Sequence, residues 1–89
     1  RLGLCQDALR IDPGNAVALY YAAQAFRERN DLETSRLYLE DLTARWPGIA
    51  DGWLEYGRLL KTLQDRPGAR RAILQARRYG VGAEEETLD

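Results

Sequence analysis

Histidine is absent from this 89-residue chain, and lysine occurs once, as Lys61, against twelve arginines. Without histidine there is no histidine-based triad, no imidazole general base and none of the commonest metal ligand. Cysteine is almost absent too. Cys5 stands alone, so no internal disulfide can form and the redox compartment cannot be read; its expected place is a small core position. No apolar run is long enough to cross a bilayer and no signal-peptide pattern opens the chain, so this segment is not expected to insert into a membrane. Nor does either charge dominate. Thirteen basic and 14 acidic residues give a formal net charge of −1, and no global field draws the chain toward nucleic acid or an anionic surface.

What is present fits one small helical domain. A composition 45% hydrophobic and 30% charged can bury a core, unlike a disordered segment. At this length the core is modest, so every apolar face needs a partner. The arginine preference points to a GC-rich bacterial genome. Because helical patterning begins at Arg1 itself, the chain is expected to be a fragment of a larger protein, with Leu2, Leu4 and Leu9 partly uncovered and able to mediate weak self-association.

The sequence repeats. "IDPGNA" at 11–16 and "RWPGIA" at 45–50 set Pro13 and Pro47 thirty-four residues apart. The same step carries Leu19 to Trp53, Ala22 to Tyr56, Ala23 to Gly57, Phe26 to Leu60, Ser35 to Ala69, Leu39 to Ile73 and Leu42 to Ala76. Run backwards, it carries Leu39 to Cys5 and Leu42 to Ala8. Between the prolines the apolar spacing is helical: Leu32, Ser35, Leu39, Leu42 and Trp46 share one face, as do Leu19, Ala22, Ala23 and Phe26. No segment alternates with a period of two. Asn15 is placed to cap a helix; Asn30-Asp31 and Asp65 with Pro67 mark tight turns, and Pro47-Gly48 separates two hairpins. Five helices are expected, at 1–11, 16–29, 32–46, 50–63 and 67–79.

The spacing Trp53-x2-Tyr56-Gly57-x2-Leu60, followed by Ala69-x3-Ile73-x2-Ala76, resembles the tetratricopeptide repeat, a helix–turn–helix unit of thirty-four residues. The junction "ALRIDPGNA" at 8–16 fits the same family. The resemblance implies an all-α fold, a right-handed superhelical solenoid of hairpins forming a single domain. It divides into a closing helix at 1–13, full repeats at 16–49 and 50–83, and a tail or the start of another helix at 84–89. The chain departs from the family pattern at Leu19, where tryptophan is commonest, at Leu42, where alanine is usual, and at Val81, where a third proline is expected.

The resemblance further implies a scaffold for protein–protein interaction, whose concave groove is lined by the first helix of each repeat. The matching positions are Val17, Tyr20, Tyr21, Gln24 and Arg27, then Asp51, Leu54, Glu55, Arg58 and Lys61. Tyr20 and Tyr21 beside Val17 form the most informative group, since rigid amphipathic rings and arginines anchor binding hot spots. The family's clamp for a chaperone's terminal carboxylate would fall on Tyr20, Gln24, Asp51 and Glu55. Two of these would repel such a ligand, which disfavours a co-chaperone role. A component of a bacterial multi-protein assembly is the setting that such a module suggests.

Other chemistries find little support. Arg66, Arg70, Arg71, Arg77 and Arg78 crowd the last helix, where a solvated face is favoured over an acidic or RNA partner. The second repeat is also similar to the half-a-tetratricopeptide repeat of RNA-processing factors, through Trp53, Tyr56, Ala69, Arg70 and Ala76. That family prefers an acid where Leu60 stands, and the first repeat lacks its tryptophan and tyrosine. The glycines do not sit in a phosphate-cradling loop, and the acids lack calcium-loop spacing. No activated nucleophile or acid–base pair is evident. The expectation is therefore no enzyme, no catalytic residue, no metal, no cofactor and no small-molecule substrate. The expected partner is a protein or peptide, with nucleic acid disfavoured.

Overall fold

The computed structural model describes residues 14–80; the expected first helix, Cys5, the leucines near the start and the tail therefore lie outside the described residues. Within them the chain forms four helices and no strand: α1 (Ala16–Glu28), α2 (Leu32–Arg45), α3 (Ala50–Thr62) and α4 (Arg66–Tyr79). Each begins and ends within one residue of the expected bounds, inside the ordinary scatter of helix termini. The described residues divide into two compact units between Trp46 and Pro47; α1 packs on α2 in the first and α3 on α4 in the second.

The turns explain why each pair closes as a hairpin. At the end of α1, Asn30 adopts a left-handed φ of 63°, and at the end of α3 Gln64, thirty-four residues later, adopts 68°. In the first turn the amide of Asp31 donates to the carbonyl of Phe26 and that of Asn30 to Arg27. In the second, Asp65 donates to Leu60 and Gln64 to Lys61. Both are Schellman motifs, which satisfy the carbonyls that a helix end would leave orphaned. The aspartate that completes each motif then starts the next helix. Asp31 Oδ1 accepts from the Thr34 amide at 3.3 Å, and Asp65 Oδ1 from the Gly68 amide at 3.0 Å. One short side chain thus serves two helices.

Leu19, Ala22 and Ala23 of α1 are buried, as are Ser35, Leu39 and Leu42 of α2. Burying each leucine stabilises the hairpin by roughly 1.5–3 kcal/mol. The Ser35 hydroxyl donates to the Ala23 carbonyl at 2.7 Å across the helix pair, so a polar atom stands satisfied at the interface. In the second unit Gly57 faces Ile73 and Ala69. A methyl on Gly57 would come within 2.7 Å of Ile73 Cγ1 and 3.3 Å of the Ala69 carbonyl oxygen. Leu60, Ala69 and Ala72 form a buried cluster beside this contact, and Trp53 and Tyr56 pack partly buried against it. The Trp53 indole donates to the Pro47 carbonyl at 2.7 Å.

One expectation needs correction. Trp46 does not continue the buried face of α2; it is the helix C-cap, 46% exposed. The cause is Pro47, whose ring disfavours a helical residue before it. Trp46 leaves the helix at φ −130°, ψ 64°, and its indole donates to the Gly14 carbonyl at 2.8 Å. The aromatic ring therefore closes the open end of the hairpin rather than filling its middle.

Candidate functional site

Steps of three and four residues along α1 put Val17, Tyr20, Tyr21, Gln24 and Arg27 on one stripe. None belongs to the buried set. Val17 is 63% exposed and Tyr21 44%, while Tyr20, Gln24 and Arg27 are half-buried. Asn15 ahead of the stripe fixes where it starts, its side chain accepting from the Ala18 amide at 2.9 Å. The rings of Tyr20 and Tyr21 meet edge to face, centroids 5.7 Å apart and planes at 79°. Such a pair stiffens both side chains, so less rotamer freedom is lost if a partner docks on them.

The corresponding stripe of α3 holds Asp51, Leu54, Glu55, Arg58 and Lys61, thirty-four residues on at every position. Its chemistry differs. Where α1 has the exposed ring of Tyr21, α3 has Glu55, whose side chain is only 14% exposed and accepts from Arg58 at 3.3 Å. The α3 stripe is thus charged, and two of its charges are engaged with each other. Each set shares a helix face in its own hairpin, as its spacing requires.

The second unit also has a concavity that sequence reasoning did not identify. Trp53, Tyr56, Leu60, Asp65, Gly68, Arg71 and Ala72 line an open cleft of about 130 Å³. Its origin shows in the register. In the first hairpin Tyr38 stacks on Phe26, ring centroids 5.6 Å apart with planes at 18°. Thirty-four residues on, those positions hold Ala72 and Leu60. Two side chains shrink, and a hollow remains. Carrying the shift through positions 26 and 38 together would have pointed to it.

Among the described residues no group of three or more potential metal-ligating side chains comes together. No helix described is long and apolar enough to cross a membrane.

Comparison with known proteins agrees with this geometry. The tetratricopeptide repeat family model matches residues 4–36, from the segment before α1 into the first turns of α2. No curated protein sequence matches the chain. Residues 4–36 are thus similar to a tetratricopeptide repeat, and the part of that match that forms α1 recurs thirty-four residues on as α3.

Proposed function

We propose that this chain is a protein-interaction module that holds a peptide or protein segment on the outward stripes of its first helices. These are Val17, Tyr20, Tyr21, Gln24 and Arg27 on α1, and Asp51, Leu54, Glu55, Arg58 and Lys61 on α3. The observation that carries the reading is that all ten positions, matched in register, stand outside the buried cores of their hairpins. The cores supply stability without them, which frees these positions for recognition. The tyrosine pair of α1 is the strongest anchor, because it offers large rigid apolar area with hydroxyls able to bond at its rim. The setting we favour is a bacterial multi-protein assembly, supported by the preference for arginine over lysine and by the kind of module.

The RNA-processing reading gains no supporting observation: Leu60, where those repeats prefer an acid, is buried beside Ala69 and Ala72. The test is a parallel capture with wild type and Tyr20→Ala/Tyr21→Ala. A partner held by wild type should be lost from the variant, a fall of at least tenfold in affinity for two hot-spot rings. A partner retained equally by both proteins would move recognition off α1.

A further inference from the structure

The outer faces of α2 and α4 carry different charge patterns. In α2 the guanidinium of Arg36 is held between Glu33 at 2.8 Å and Glu40 at 2.7 Å, and Arg45 pairs with Asp41 at 2.6 Å. Thirty-four residues on, Arg36 becomes Arg70, but Glu33, Glu40 and Asp41 become Pro67, Leu74 and Gln75. The cation is kept and every acid is gone. Helix α4 therefore has five arginines and no acidic residue. Among the described residues no carboxylate reaches Arg66, Arg70 or Arg71, and all three are exposed. Leu74, 45% exposed, lies one turn along from Arg70 and Arg71.

The cleft of the second hairpin adjoins this face, with Arg71 in its lining. Its roughly 130 Å³ is close to the roughly 150 Å³ that admits one benzene ring in an apolar protein cavity. Trp53 and Tyr56 offer ring surfaces there, and Leu60 and Ala72 an apolar floor. Asp65 lies at the cleft as well, its carboxylate capping Gly68. That charge disfavours an acid at its own end and directs a ligand's carboxylates toward Arg70 and Arg71.

We infer that the α4 side of the second hairpin is a docking surface for an acidic peptide segment of a partner protein, which inserts one aromatic side chain into the Trp53–Tyr56–Ala72 cleft. Flanking carboxylates meet Arg70 and Arg71, taking the place that Glu33 and Glu40 hold beside Arg36. The ring takes a place like that of Tyr38 on Phe26. The second hairpin thus leaves to a ligand two features that the first supplies internally. This surface shares no residue with the stripes of α1 and α3, and either can fail without the other.

The test titrates the ¹⁵N-labelled 89-residue chain with the synthetic peptide Glu-Glu-Phe-Glu-Glu, capped at both ends, at low salt. The Trp53 indole N–H resonance should move while that of Trp46 stays. Replacing the peptide's phenylalanine by alanine should weaken binding at least tenfold, as expected for one ring left unburied. Arg70→Glu/Arg71→Glu should weaken it about tenfold, since two attractions become repulsions. Tyr20→Ala/Tyr21→Ala should leave it unchanged. Both arginines are exposed, so the reversal should keep the helical circular dichroism. The peptide replacement needs no protein variant and stays decisive in any case. An unmoved Trp53 resonance, or equal binding of the alanine peptide, overturns the inference. So does tighter binding of a uridine oligonucleotide through the same arginines, which would make the face a nucleic-acid surface.

Discussion

The hairpins of α1–α2 and α3–α4 share a period and a turn, yet their helices meet through different atoms. In the first, Ala23 faces Ser35, whose hydroxyl bonds the Ala23 carbonyl. In the second, Gly57 faces Ala69 and Ile73 with no room for a methyl group. The first joins its helices with a hydrogen bond; the second brings them together by removing a side chain. The aromatic volume moves too, from Phe26 and Tyr38 in one hairpin to Trp53 and Tyr56 in the other. The difference teaches that one period and one turn can be kept while the contacts that join the two helices change.

Substitutions can break or sharpen this contrast. The largest effect is expected from Gly57→Ala, whose new methyl must displace a fully buried Ile73 or the backbone at Ala69. Overpacking of this kind costs about 1–3 kcal/mol, read as a lower urea midpoint. Adding Ile73→Leu gives positions 57 and 73 the residues that stand at 23 and 39 in the first hairpin and should recover part of the loss. A Gly57→Ala protein as stable as wild type would show that the close approach is not what sets the second hairpin.

Ser35→Ala comes next. It gives the first hairpin the small residue that Ala69 provides in the second, and removes one buried hydrogen bond worth about 1 kcal/mol. The same denaturation measurement reads it. No loss of stability would mean that the hydroxyl fills space and nothing more.

The smallest effect, and the only gain, is expected at the start of α3. Ile49 is its N-cap and makes no side-chain capping bond, whereas the matching Asn15 caps α1. Ile49→Asn should add about 0.5–1 kcal/mol, seen as a rise in thermal midpoint. A fall would show that the exposed isoleucine contributes more by packing than a cap would.

Much of the fold was legible in the sequence because its determinants are local. Prolines and aspartates mark helix ends, and three- and four-residue spacing marks buried faces. Asn30 announced its turn. Gln64 did not, since glutamine rarely adopts the left-handed conformation and its placement is set by what surrounds it. Trp46 was misplaced because apolar spacing was followed one step beyond the point where Pro47 ends the helix. The outward stripes were legible from repeat register. The cleft was not, because it depends on two residues, Leu60 and Ala72, being small together when neither is unusual alone. The arginines of α4 were conspicuous in the sequence. The pairing of those in α2 was less so, and only that contrast gives the α4 set meaning.

The turns have a consequence for how the protein is made. Three residues separate α1 from α2, and three separate α3 from α4. Closing so short a connection costs little chain entropy, and contacts near in sequence favour folding on microsecond to millisecond timescales. Translation is far slower, at roughly 5–20 residues per second. The first hairpin therefore has time to close as soon as its residues are free to meet.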